Sequence, residues 1–174
     1  MKEQSTINNA TNRLTTVLFI IYLITICWIL LFKLGVRFSY MEKRSVNLVP
    51  FNESLILNGE NILNVLIFIP LGIYAGILFE RWIFGKKVIF CFLCSLLVEV
   101  LQYILRVGAF DVTDIITNTL GGLTGLILFI AIDKGFNNSI KAQKFINIIA
   151  ATGTIVMILL LVLLKMTCMV VFIY

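Results

Sequence analysis

Five stretches of mostly apolar residues, each about the length of one membrane crossing, constrain this chain more than any other feature. At 1.5 Å per residue, roughly 20 residues of helix span a hydrocarbon layer about 30 Å thick. The segments at 14–34, 61–79, 88–105, 113–132 and 145–164 meet that length. Inside lipid the backbone has no water to bond to, so each segment must close its own hydrogen bonds as a helix. The expected fold is therefore all-α, a polytopic transmembrane helical bundle of about five spans. Composition agrees. Apolar residues make up 60% of the chain and charged residues only 13%, against about a quarter charged in soluble domains. The mean hydropathy of +1.05 leaves too much apolar surface for a water-soluble core of this size.

The first 13 residues are polar and read as a separate N-terminal segment, with a single transmembrane domain over 14–174. The run at 14–34 is too long for a signal-peptide core and lacks a small-residue cleavage site, so it reads as a retained first span. The apolar stretch beginning at 145 continues past Lys165. Lys165 would snorkel to the interface and leave a short apolar tail, or the helix would be longer and tilted.

Basic residues lie in the connections. With the N-terminus inside, eight Lys and Arg fall on the inner side and six on the outer. That modest excess favours a cytoplasmic N-terminus and an extracytoplasmic C-terminus. The net charge of +5 is thus spread over membrane-flanking loops and does not form a nucleic-acid-binding patch.

The absence of histidine removes the commonest general base and metal ligand, and no cofactor or metal site is expected. Cys91 and Cys94 form a C-x-x-C pair, but it lies in an apolar run with no second pair, so it reads as helix packing rather than zinc or redox chemistry.

Against this background a few polar residues stand out. Glu99, Gln102 and Arg106 recur at i, i+3 and i+7 near the end of the third span, on one helical face. Asp111, Asp114 and Asn118 repeat that spacing at the start of the fourth, and Asn61 and Asn64 open the second. The loop before the second span adds Asn47, Pro50, Phe51, Asn52 and Glu53. Alternating span direction brings these three stripes to the same membrane face, whichever way the chain is inserted. A charged side chain at the centre of a span costs about 2.5–3.5 kcal/mol on insertion scales, so Glu99 must be paired or neutral. A structural network holding helix register would be the bland explanation. Three converging stripes favour a functional site.

Other signals concern packing. Gly72 with Gly76, and Gly121 with Gly125, are small-x-x-x-small pairs that allow close backbone approach. Pro70 interrupts the hydrogen-bond ladder of the second span. Trp28, Trp82, Tyr103 and Tyr174 are placed as interface anchors.

Taken in order, the polar positions form a recognisable set: NLVPF at 47–51, N-x-x-N-x-x-x-F-x-P-L-G at 61–72, E-x-x-Q at 99–102 and R-x-x-x-x-D-x-x-D-x-x-x-N-x-x-G-x-x-x-G at 106–125. This set resembles the VanZ-like family of small bacterial membrane proteins, over roughly 47–125 and its apolar frame. The resemblance implies low-level resistance to teicoplanin-type glycopeptides at a Gram-positive cell envelope, extending in some members to lipoglycopeptides. It also implies a multi-pass plasma-membrane location.

Two readings of the site follow. In the first, a non-catalytic outer pocket binds a membrane lipid, a lipid-linked cell-wall precursor or the drug's acyl chain. Arg106 would meet an anionic group, and the amides of Asn61, Asn64, Gln102 and Asn118 would supply neutral hydrogen bonds. In the second, a membrane enzyme acts on a phospholipid or lipid-linked headgroup. Asp111, Asp114 and Glu99 or Glu53 would hold a hard cation, although the second D-x-x-x-D of the CDP-alcohol phosphotransferases is missing. A small carrier is disfavoured by the lack of an inverted repeat.

Overall fold

The computed structural model describes residues 2–32, 45–51 and 59–171, with side chains over 9–30, 45–51 and 59–159 apart from Met157. Asn52, Glu53 and Tyr174 lie outside the described residues, and Lys165 and Cys168 outside the described side chains. Five helices, α1 (Lys2–Phe32), α2 (Gly59–Leu78), α3 (Phe84–Leu105), α4 (Val112–Phe136) and α5 (Ser139–Val171), account for nearly all of the described chain. Two two-residue strands, β1 (Val46–Asn47) and β2 (Phe110–Asp111), complete it.

Four helical segments are long and apolar enough to cross a membrane: Asn9–Leu30 within α1, and the whole of α2, α3 and α4. The fifth expected span, 145–164, falls within α5, whose side chains beyond 159 are outside the description. The faces confirm the solvent. Leu63, Leu66, Leu93, Leu97 and Ile127 are more than half exposed, while Asn61, Asn64, Glu99, Gln102 and Asn118 are buried. Apolar side chains outside and polar ones inside is the arrangement lipid selects.

The segment Phe19–Gly135 packs as one compact unit. Its centre is Ile26, Phe68, Leu71 and Cys91, bordered by Phe19, Tyr22 and Leu23. Glycine lets the backbones meet. A Cβ on Gly121 would overlap the Val65 carbonyl, one on Gly125 the Ile69 carbonyl, and one on Gly72 the Gly122 carbonyl. Partner numbers rise together, so α2 and α4 run parallel in direct backbone contact. Cys91 abuts Gly122, where a Cβ would stand 2.7 Å from the cysteine Cβ. Further along α3, Glu99 reaches Asp111, so α3 and α4 run antiparallel.

Pro70 sits inside a continuous α2. Having no N–H, it breaks the ladder at that turn. The Tyr22 hydroxyl of α1 donates to the Ile67 carbonyl, next to the Leu66 carbonyl that Pro70 leaves without a donor, at 2.9 Å.

The segments Met1–Leu18 and Phe136–Tyr174 form a second compact unit. Asn138 caps α5, its Oδ1 accepting the N–H groups of Ile140 and Lys141, each at 3.0 Å. Thr15 donates to Asn147 Oδ1 at 3.0 Å, and Gln143 Nε2 donates to Thr15 at 2.7 Å. This small polar zipper was not anticipated from sequence.

Candidate functional site

The site is built where α3 turns into α4. Helix α3 ends with Arg106 in the left-handed region, φ 56° and ψ 34°, its N–H directed at the Gln102 and Tyr103 carbonyls. The Val107 N–H then bonds Gln102 O at 3.0 Å. This closing pattern usually employs glycine, and it swings the chain back over the helix end. Four residues later Asp111 caps α4, accepting the Thr113 N–H on Oδ1 at 2.7 Å.

Asp111 is the hub. Its Oδ2 accepts from Asn47 Nδ2 at 3.0 Å, and its backbone N–H donates to Glu99 Oε2 at 3.0 Å. The connection before α2 is bound by more than side chains. Strands β1 and β2 pair in parallel, Val46 with Phe110 and Asn47 with Asp111, and the Phe110 N–H donates to Ser45 O at 3.0 Å. Phe51, held at φ 57°, donates its N–H to Thr113 Oγ1 at 3.0 Å. Residues 45–51 are thereby strapped across the end of α3 and α4.

Below the strap, Asn64 Nδ2 of α2 donates to Asp114 Oδ1 at 2.8 Å. Gln102 Nε2 donates to the Leu30 carbonyl at 2.9 Å, tying the end of α1 to α3. Glu99 is 1% exposed, Asn118 1% and Asn61 4%. The buried Glu99 carboxylate accepts the Asp111 N–H, and a hydrogen-bond partner is the condition for burying it at all.

The eleven positions singled out by sequence fall into three groups. Asn47, Glu99 and Asp111 form one bonded set, Asn64 and Asp114 a second, and Phe51 bonds Thr113 through its backbone. Asn61, Gln102 and Asn118 are buried at the same end of the unit. Pro50 is exposed in the turn after β1, and Arg106 is exposed, its backbone shaping the turn. Arg106 therefore lies at the rim, not in the buried network. Sequence reading passed over Thr113, whose hydroxyl receives the strap, and Ser95, fully buried one turn before Glu99. A signal for Ser95 existed: it extends the stripe of Glu99, Gln102 and Arg106 by i−4. Among the described residues, no three Asp, Glu, Cys or His side chains converge as a metal ion requires.

A family model described as VanZ/LLP1 matches residues 19–133. Protein VanZ of Enterococcus faecium is 39% identical over 149 residues, covering 83% of this chain and 89% of the relative. The chain belongs to the VanZ-like family. The VanZ-like match opens and closes almost where the compact unit Phe19–Gly135 does, so the family core and this packing unit coincide. No solved structure matches.

Proposed function

We propose that this VanZ-like membrane protein lowers susceptibility to teicoplanin-type glycopeptides by binding an amphiphile at the polar end of Phe19–Gly135. The N-terminus is cytoplasmic in this reading, which turns the strap and the Asp111 hub outward. The ligand is a lipid, a lipid-linked cell-wall precursor or the drug's acyl chain. One observation carries the reading. Five buried or half-buried polar side chains lie at one end of an otherwise apolar unit, Asn47 and Glu99 bonded to Asp111 and Asn64 bonded to Asp114. A purely structural unit gains little from such an arrangement, because buried polar groups inside a membrane cost energy unless fully matched. Arg106, exposed at the rim, is placed to meet an anionic group on the incoming ligand.

The test is teicoplanin and vancomycin susceptibility in a sensitive Gram-positive host. It compares the chain, an empty vector, and Glu99→Ala, Arg106→Ala and Asp114→Ala variants at matched membrane levels. Teicoplanin tolerance rises with the chain, vancomycin tolerance changes little, and the variants lose the effect. Full protection by all three variants at equal expression would sink the proposal.

A further inference from the structure

One turn deeper than the carboxylate layer, two buried polar atoms have no hydrogen-bond partner among the described residues: Ser95 Oγ on α3 and Asn118 Oδ1 on α4. Ser95 is 0% exposed and Asn118 1%. They belong together. The antiparallel register that brings Cys91 to Gly122 and Glu99 to Asp111 puts Ser95 and Asn118 at the same depth between those two contacts. Ser95 precedes Glu99 by four residues and Asn118 follows Asp114 by four, so each lies on its helix's polar stripe, about 6 Å further in.

The behaviour of Ser95 is unusual in this chain. Thr119, Thr124, Thr152 and Thr154 all return their hydroxyls to the carbonyl four residues back, the ordinary way to satisfy a hydroxyl in lipid. Ser95 does not. A buried polar atom left unmatched opposes folding, and alanine or an apolar residue would fit both positions at no such cost.

We propose that Ser95 and Asn118 are the floor of the binding site and read a hydroxyl of a polyhydroxylated headgroup, the chemistry of a glycolipid or a lipid-linked saccharide. A hydroxyl oxygen accepts from the Ser95 Oγ–H while its own hydrogen goes to Asn118 Oδ1, satisfying both atoms at once. A phosphodiester offers no hydrogen to Asn118 Oδ1. The layer above is made of carboxylates and amides, side chains that exchange hydrogen bonds with hydroxyls. This inference rests on the amphiphile-binding reading above and specifies its ligand.

The experiment uses the full chain in phosphatidylcholine nanodiscs doped with diglucosyl-diacylglycerol, or with diacylglycerol as the sugar-free probe, and records thermal unfolding. Binding to the folded state raises the unfolding temperature. The wild type gains several degrees from the glycolipid and none from diacylglycerol. Ser95→Ala and Asn118→Leu start at an unfolding temperature equal to or above wild type, and lose at least half of the glycolipid shift. Ser95→Ala deletes a single oxygen and keeps the test decisive if Asn118→Leu fails to fold. The inference is overturned by a wild type that ignores the glycolipid, by a shift undiminished in Ser95→Ala, or by a lowered starting temperature in Ser95→Ala. A wild type that protects against teicoplanin yet ignores the glycolipid defeats this inference and leaves the broader function standing.

Discussion

Asn47 and Asp111 are joined twice, as partners in the β1–β2 ladder and through Asn47 Nδ2 donating to Asp111 Oδ2 at 3.0 Å. Because Asp111 also caps α4 through its carboxylate and bonds Glu99 of α3 through its backbone N–H, one residue links the strap to two helices. A double-mutant cycle on Asn47→Ala and Asp111→Ala should therefore return a coupling of about 0.5–3 kcal/mol, the range for residues in one hydrogen-bond network. Asp111→Ala is the costlier single change, since it also removes the cap, itself worth about 1 kcal/mol. Thermal unfolding in a fixed detergent measures both, and additive effects would show that the strap is held without this pair.

Arg106 separates backbone from side chain. Its left-handed backbone at the end of α3 suits glycine, so Arg106→Gly should raise stability by up to about 1 kcal/mol, while Arg106→Ala keeps the backbone cost. If the guanidinium meets ligand at the rim, both variants lose protection against teicoplanin even though one is more stable. A glycine variant less stable than alanine would mean that the arginine side chain, not the turn, holds this corner.

The glycines of the α2–α4 contact should tolerate nothing larger. Gly125→Ala and Gly121→Ala each drive a methyl into a backbone carbonyl of α2, and overpacking of this kind costs about 1–3 kcal/mol. Gly135, near the end of α4 with nothing within 4 Å of its missing Cβ, provides the control. Gly135→Ala should be neutral or stabilising by up to about 1 kcal/mol. Yields of folded, monodisperse protein after extraction would rank the three.

Tyr22 supports the turn weakened by Pro70. Tyr22→Phe keeps the ring among Phe19 and Tyr74, whose centroids lie 5.3 Å apart, and deletes only the bond to the Ile67 carbonyl. The expected loss is small, about 0.6 kcal/mol, as for hydrogen bonds between membrane helices generally. Faster amide exchange confined to the turn around Pro70 would locate it. Unchanged exchange there would show that the proline turn does not depend on Tyr22.

Much of this protein is legible in one dimension because lipid imposes one-dimensional rules. The apolar runs mark α1 to α4 as spans, the glycine spacings mark the α2–α4 contact, and the costly polar residues at i, i+3 and i+7 mark the site end. Membrane topology alone then brings Asn64, Glu99, Asp111 and Asp114 to one face. What tertiary structure alone decided is how they join. The β1–β2 pair links residues more than sixty positions apart through segments of only two residues each, too short for any alternation to be read. The turn at Arg106 uses a left-handed residue that is not glycine, so nothing in the letters announces it, and it is that turn which leaves the guanidinium at the rim. Ser95 is the intermediate case: its spacing was in the stripe, but a serine in an apolar run ordinarily satisfies itself on its own helix. Only the register of α3 against α4 set it at the depth of Asn118, because depth within a bundle is fixed by how helices pack, not by any one helix's sequence.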